Sequence, residues 1–200
     1  GKLTFTANNN GAFAFYDDIY NYNSGSVINF AGDGTGKFNL FNDIGGSGTL
    51  NFNASYAFNM INDTINVIQA SNLTINSIIN MAVDVDLANA TMDHFDVANV
   101  AFGENGKIIV NGMKLLSDMA DGTTETEINF ISPTENVSTP LESAILEADS
   151  LKNRYKVKYD ETTGNFVFSI QASKTPVEVA EDVGIPAVSA GVQQMQTSLN

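Results

Sequence analysis

Residues 25–53 read GSVINFAGDGTGKFNLFNDIGGSGTLNFN, and the architecture of the chain can be predicted from this stretch. It contains three similar segments, GSVINF, GKFNLF and GTLNFN, and a fourth, GKLTFT, stands at residues 1–6. Each begins with glycine and then alternates apolar with polar residues. Alternation with a period of two is typical of a strand that buries one face. The stretch therefore predicts short strands that resemble one another.

The same alternation continues along most of the chain. Its segments are rich in Val, Ile, Phe, Thr and Asn, which favours strands, and they lie roughly 8 to 12 residues apart with Gly, Asn, Asp or Ser between them. The glycine-rich stretches GDGTGK at 32–37 and GGSGTL at 45–50 are predicted to be turns. The predicted strands are Leu3–Thr6, Val27–Phe30, Phe38–Phe41, Leu50–Asn53, Phe58–Ile61, Ile65–Ile68, Leu73–Ile79, Val83–Leu87, Phe95–Phe102, Lys107–Leu116 and Glu127–Ile131.

An internal repeat of this kind predicts a solenoid. A unit that cannot bury its own apolar face becomes stable when it stacks on a copy of itself, and coils of about 20 residues would use two or three strands each. Asparagine, 25 of the 200 residues, tolerates left-handed turns and can form amide ladders between coils. The predicted fold class is therefore all-β, a right-handed parallel β-helix.

The composition changes near residue 140. Leu141–Lys152 has apolar residues near helical spacing and predicts either one short helix or an irregular crossing. Arg154–Asp160 and Phe166–Ala172 alternate on either side of a polar loop that contains Gly164, so they predict a β-hairpin. Because the end of a β-helix exposes unpaired backbone, we expect this hairpin to cap the solenoid.

The predicted organisation has three parts: coils at 1–140, a capping region at 141–173, and a linker at 174–200 with a short, weak helix near Ala187–Leu199. The sequence begins with Gly1 and has no apolar run long enough to cross a bilayer. We therefore expect any targeting signal or membrane anchor to lie outside these 200 residues.

Composition argues against several classes of function. The formal net charge of −14 would repel a phosphate backbone, so no nucleic-acid partner is expected. The absence of cysteine rules out disulfides, thiolate nucleophiles and sulfur-ligated metals. His94 is the only histidine and no nucleophile elbow accompanies it, so a solvated or partly buried role is favoured over a base. No catalytic residue and no cofactor are predicted.

Two small groups of residues are candidates for binding. Tyr16, Tyr20 and Tyr22 are predicted to face outward and could stack on a carbohydrate ligand, while the nearby Phe13 and Phe15 are expected to face the core.

The second group is an acidic pair on a predicted strand. Asp84 and Asp86 are two residues apart, so both carboxylates would face one side, as in a calcium-dependent or sugar-cleaving β-helix. The alternative, which the alternating Val83, Val85 and Leu87 favour, is an ordinary strand with its polar face in water.

Three longer runs carry a resemblance to a known family. They are VDVDLANATMDHFDV at 83–97, KIIVNGMKLLSD at 107–118 and YKVKYDETTGNFVFS at 155–169. These runs resemble the last coils and final hairpin of bacterial autotransporter passengers. The resemblance implies a right-handed β-helix that leads into a capping, folding-assisting region, a helical linker and an outer-membrane β-barrel encoded downstream.

The resemblance also implies a role. We expect a secreted or surface-displayed structural or adhesive stalk at the bacterial cell surface, whose partners are the barrel and a glycan or protein on a host or neighbouring cell. Self-association into an extracellular lattice or filament is the alternative. A β-helix enzyme that acts on polysaccharides is a third class, but we expect no enzymatic activity.

Overall fold

The computed structural model of the chain describes residues 1–120, 123–138, 146–148, 155–160 and 165–171. Within these residues every regular element is a β-strand, and parallel strands stack as a β-solenoid of about four turns. The strands are β1 Lys2–Ala7, β2 Ala12–Phe15, β3 Ile19–Asn21, β4 Val27–Gly32, β5 Lys37–Leu40, β6 Ile44–Gly46, β7 Thr49–Phe52, β8 Tyr56–Asn59, β9 Val67–Ile75, β10 Ile78–Asp86, β11 Thr91–Met92, β12 His94–Phe102, β13 Lys107–Ser117, β14 Glu125–Ser138, β15 Leu146–Ala148, β16 Tyr155–Asp160 and β17 Asn165–Gln171.

Two parallel sheets form the walls of the solenoid. In the first sheet β1, β4, β7, β9, β12 and β14 are neighbours in that order, and in the second β2, β5, β8, β10, β13 and β15. The chain thus visits one sheet and then the other before it returns one coil further on. The short strands β3 and β6 pair with each other, and β6 also pairs with β9. Hydrogen-bonded partners on adjacent coils are typically 22 to 28 residues apart.

The register places like residues over like residues. Phe5 is the partner of Phe30, and Phe30 is the partner of Phe52, so three aromatic side chains lie in one column. The rings of Phe30 and Phe52 stack with centroids 5.1 Å apart. The alternation of the strands thus becomes a continuous apolar interior, because every second side chain of each strand points into it.

Asparagine amides connect the coils on the outer side of the strands. Asn51 Nδ2 donates to Asn29 Oδ1 at 3.0 Å, and Asn53 Nδ2 donates to the same oxygen at 3.2 Å. Asn76 Nδ2 in turn donates to Asn53 Oδ1 at 2.8 Å. The predicted amide ladder is confirmed.

The first sheet ends in antiparallel strands. β17 pairs antiparallel with β14, and β16 pairs antiparallel with β17, at the position of the predicted hairpin. Phe166, Phe168 and Ile170 of β17 are buried in the common core, and the rings of Phe168 and Phe130 meet edge to face at 5.4 Å. The core of the coils therefore continues into this antiparallel pair.

The structure differs from the sequence predictions at three places. A helix is wrong for Leu146–Ala148, which form β15 and pair with β13, since tertiary pairing outweighs the local helical spacing. The predicted strand Leu73–Ile79 is interrupted at residues 76–77, where the chain passes from the first sheet to the second. The short strands β2, β3, β6 and β11 are not predicted. The predicted linker and terminal helix, 174–200, lie outside the described residues.

Candidate functional site

Three tyrosines stand exposed at one corner of the first two coils. Tyr16 follows β2, Tyr20 lies in β3 and Tyr22 follows β3, and they are 73%, 57% and 73% exposed. In β3 the neighbours of Tyr20, Ile19 and Asn21, point the other way and are half-buried and buried. The alternation of the strand therefore places these rings outside, as expected from the sequence.

The ring of Tyr20 is held in place on several sides. Its phenol oxygen donates to Asp18 Oδ2 at 2.7 Å. Its register partner on the next coil is Gly45, and a Cβ on that glycine would lie 3.4 Å from the Tyr20 ring, at ordinary van der Waals distance. The Tyr22 ring lies nearly parallel to it, at 5.0 Å and 7°. The two rings thus form a paired aromatic surface, called here the tyrosine pair.

Carboxylates surround the tyrosine pair. Asp18 is itself positioned, because the backbone amide of Asp43 donates to its Oδ1 at 3.2 Å. The hydrogen bond to Asp18, together with the negative charges of Asp18 and Asp43, raises the pKa of the Tyr20 phenol. The phenol of Tyr20 therefore stays protonated at neutral pH and remains a hydrogen-bond donor.

Tyr16 makes a separate aromatic contact. Its ring stacks on Phe41 at 5.2 Å and 27°. The nearby phenylalanines match the expectation only in part. Phe15 is half-buried and packs on the core, but Phe13 is 37% exposed. Phe13 is exposed because β2 is the last strand of its sheet and has only β5 beside it.

The expectation that Asp84 faces water is wrong. Asp84 is fully buried, and so are Val83 and Val85 on either side of it. The strand shifts register between Met81 and Ala82, and a loop of the preceding coil covers its outer face. The backbone amides of Asn62 and Asp63 in that loop donate to Asp84 Oδ2 at 2.7 and 2.8 Å.

Asp93 is a buried partner of Asp84 that the sequence predictions missed. Its Oδ2 accepts a hydrogen bond from the Asp84 amide, and its Oδ1 accepts one from the Asn66 amide, both at 2.7 Å. Burial raises the pKa of Asp93 to about 7, and the charge of Asp84 adds to the effect. The sequence feature that could have indicated this pairing is the turn at 87–90, which folds β11 back on β10 and brings Asp93 opposite Asp84.

The two carboxylates therefore hold the loop 62–66 against β10. Asp84 Oδ1 is buried without a hydrogen-bond partner, and its register neighbour Lys114 forms an ion pair with Asp63 of the same loop. A positive side chain thus lies next to the buried carboxylates. The arrangement is that of a loop anchor, since backbone amides satisfy three of the four carboxylate oxygens.

Asp86 lies in a different environment from Asp84. It is half-buried, and its carboxylate accepts hydrogen bonds from Ser117 Oγ and, at 2.7 Å, from Asn89 Nδ2. These bonds, the one from Ser117 first, lower the pKa of Asp86. Asp84 and Asp86 therefore lie in separate environments, and in the part of the chain that the structure describes no three His, Asp or Glu side chains come together to hold a metal ion.

His94 is partly buried at the start of β12. Its Nδ1 lies 2.7 Å from the Met92 carbonyl, so this nitrogen carries the proton and donates it. Its Nε2 lies 3.7 Å from Asp96 Oδ2. Both side chains line a shallow polar depression of about 290 Å³ together with Glu127. Of the two roles expected for His94, the structure shows the partly buried donor.

Among the described residues, no helix is both long and apolar enough to cross a membrane. Comparison of the chain with protein-family models, with curated proteins and with solved structures finds no match.

Proposed function

We propose that this chain is a structural and adhesive β-solenoid, secreted or displayed at a bacterial cell surface, which forms the membrane-proximal end of an autotransporter-type passenger. Its partners would be an outer-membrane β-barrel encoded downstream and a glycan or protein of another cell. The proposal includes no catalytic step. The observation that carries it is a stack of parallel coils that ends in an antiparallel strand pair.

The stack has the properties that a stalk requires. Each coil contacts mainly the coils before and after it, so length can be added without a new core. Amides such as those of Asn29, Asn51 and Asn76 bond from coil to coil, and this sets the register. The fold needs no disulfide, and the net charge of −14 favours solubility.

The antiparallel pair supports the position at the end of a passenger. A parallel sheet that stops leaves a row of unpaired backbone groups, which invites aggregation. Here β17 covers the edge of β14 and β16 covers β17, while Phe166 and Phe168 fill the core beneath. This arrangement is what a stalk needs where its coils end.

Surface display can be tested with single cysteines, because the chain has none of its own. Asn105→Cys places a thiol in the exposed turn after β12, and Ile108→Cys places one in the core. With the parent gene expressed in its bacterium, we expect a membrane-impermeant maleimide to label Asn105→Cys on intact cells. Ile108→Cys should react only after denaturation. Labelling of Asn105→Cys only after lysis would contradict surface display.

A lattice or filament subunit is the second candidate function. It is favoured by two exposed apolar side chains in β1 and β2, since Leu3 is 50% and Phe13 is 37% exposed. If the coils stack end to end between molecules, sedimentation velocity of the purified chain should show assembly that grows with concentration. Phe13→Lys should abolish that assembly. A chain that stays monomeric at high concentration would exclude this candidate.

A further inference from the structure

We infer that the tyrosine pair, Tyr20 and Tyr22 with Asp18 beside them, binds an uncharged polysaccharide whose sugar rings stack on the exposed aromatic face. This inference rests on the adhesive part of the proposed function and deepens it, since it names the class of ligand and the site.

The first support is the exposure of the rings. Large aromatic side chains gain free energy when they leave water, so a ligand that covers two neighbouring rings that are 57% and 73% exposed would be stabilised by their burial. The rings of the core columns at Phe30 and Phe52 are fully buried in comparison. Within the described residues the tyrosine pair is therefore an open aromatic surface.

The second support is that the pair is already ordered. Tyr20 is fixed by its hydrogen bond to Asp18, and its ring lies nearly parallel to that of Tyr22 at 5.0 Å. The Tyr22 backbone is fixed because Ser47 Oγ donates to its carbonyl at 2.8 Å. A ligand that stacks on these rings would lose little free energy to ordering them, which favours binding.

The third support is the mixture of groups. Carbohydrate-sized ligands bind where an apolar face lies beside a few fixed polar atoms. The faces of a sugar ring carry C–H groups that can lie on an aromatic ring, and its rim carries hydroxyls that need hydrogen-bond acceptors. Asp18 accepts one hydrogen bond on each oxygen from Tyr20 and Asp43, and each carboxylate oxygen has a further lone pair to offer.

Charge selects among polysaccharides. Asp18 and Asp43 act on Tyr20 with their negative charges, and the chain as a whole carries a net charge of −14. An anionic polymer would be repelled at this corner. A cationic partner would be attracted both by these carboxylates and by the faces of the rings, so a cationic probe has to be compared directly with uncharged ones. An uncharged sugar ring uses the ring faces and the acceptor positions of Asp18 together.

The test is native affinity electrophoresis of the purified 200-residue chain in gels that contain one polysaccharide each. The probes are hydroxyethylcellulose and mannan as uncharged polymers, polygalacturonate as an anionic polymer and glycol chitosan as a cationic one. We expect at least one uncharged polymer to retard the chain and polygalacturonate to leave its mobility unchanged. The double variant Tyr20→Ala, Tyr22→Ala should bind at least tenfold more weakly.

Two further variants make the test specific. Tyr16→Ala removes an equally exposed tyrosine that stacks elsewhere, so it should bind like the native chain. Tyr20→Phe keeps the ring but loses the bond to Asp18, so it should bind with intermediate strength. Circular dichroism would show that each variant keeps its β structure.

Tyrosine emission gives a second measurement on the native chain alone. The chain has six tyrosines and no tryptophan, so stacking of a sugar ring on Tyr20 or Tyr22 should change the emission and saturate with added oligosaccharide. The inference is overturned if no uncharged polymer binds, if the double variant binds as well as the native chain, or if glycol chitosan alone binds. Any of these results would leave the cysteine-labelling test of surface display unaffected.

Discussion

Asp84 and Asp93 show how a carboxylate in the middle of a strand becomes part of the scaffold. Their oxygens accept hydrogen bonds from the amides of the loop 62–66 and of β10 itself. The loop therefore has a fixed path between two coils even though it lacks regular structure. Each of these bonds also depends on the protonation state of the carboxylates, because a charged acceptor is stronger but costs more to bury.

This dependence leads to a prediction about pH. The pKa of Asp93 is about 7 in the folded chain, against an ordinary value of 3.8. A raised pKa means that the folded chain binds the proton more tightly than the unfolded chain. The stability that this contributes is full below about pH 4 and is lost as pH rises towards about 7. The free energy of unfolding should therefore fall across this range.

The variant Asp93→Asn isolates this contribution. It cannot titrate, and its amide group faces the Asp84 N–H, so it should be less stable than the native chain. Urea unfolding should show a larger loss of stability at about pH 5 than at about pH 8. Asp17→Asn, which removes an exposed carboxylate away from His94, is the matched control. The same loss at both pH values for Asp93→Asn would contradict the prediction.

Gly46 is a residue that no other amino acid can replace without strain. Its φ is +132°, and a Cβ at this position would lie 2.3 Å from the Asn21 carbonyl oxygen of the preceding coil. We expect Gly46→Ala to lower the free energy of unfolding by about 1 to 3 kcal/mol. Gly25→Ala, whose Cβ would meet nothing closer than 3.4 Å, is the control and should change stability little. Equal thermal stabilities of the two variants would show that coil contact does not constrain Gly46.

At the scale of elements, the asparagine ladder joins strands that the apolar core alone would not align. A shift of one residue between coils would point every side chain to the wrong face, and the Asn29 amide opposes such a shift. Its Oδ1 accepts from both Asn51 and Asn53, and its Nδ2 donates to Thr4 Oγ1 at 3.2 Å. The ladder therefore fixes the register on both sides of β4.

We expect Asn29→Ala to cost about 1 to 3 kcal/mol, because it removes a buried amide and with it the hydrogen bonds to Asn51, Asn53 and Thr4. Asn72→Ala removes an exposed member of the ladder and should cost less than about 1 kcal/mol, since water can replace its bonds. Chemical unfolding of the two variants shows which of them loses more free energy of unfolding. A larger loss for Asn72→Ala would mean that burial does not decide the contribution of a ladder amide.

The periodicity of two predicts β5, β7 and β12 well, because the alternation of apolar and polar residues matches the alternation of burial along these strands. It misses β3 and β6, since strands of three residues show too little alternation, and two of the three residues in β6 are glycines. The alternation of apolar and polar residues also does not show to which of the two sheets a given strand belongs. That assignment depends on which coil lies beside which.

The candidate sites divide in the same way. The exposure of Tyr16, Tyr20 and Tyr22 could be predicted, since aromatic residues crowd there beyond the repeat. The burial of Asp84 could not be predicted, because alternation places its side chain on the outer face of the sheet and only the loop from another coil buries it. The carboxylate of Asp93 was missed for a similar reason. Its partner amides come from residues 27 and 9 positions away.

At the scale of the whole molecule, the acidic charge opposes the compact stack. The chain carries 23 acidic and nine basic residues, and its exposed acids repel one another. Repulsion among exposed charges is screened by salt. We expect the melting temperature to rise by a few degrees between about 0.02 and about 0.5 M NaCl.

The salt effect should shrink in a variant with fewer exposed acids. Asp17→Asn combined with Asp96→Asn removes two such charges without touching the buried carboxylates. Calorimetry at both salt concentrations, for this variant and the native chain, makes the comparison. A melting temperature that falls with added NaCl would mean that favourable ion pairs, such as that of Lys114 with Asp63, outweigh the repulsion.

Because neighbouring coils pair in parallel register, each folded coil presents an edge on which the next coil can form. β4 can pair as soon as β1 is in place, and β7 as soon as β4 is, so each step closes a loop of roughly one coil. A chain that has folded only partway would then hold a shorter solenoid, whose last strands still offer backbone groups for pairing with the next coil. We therefore expect the solenoid to fold coil by coil, with each new coil forming against the one that precedes it.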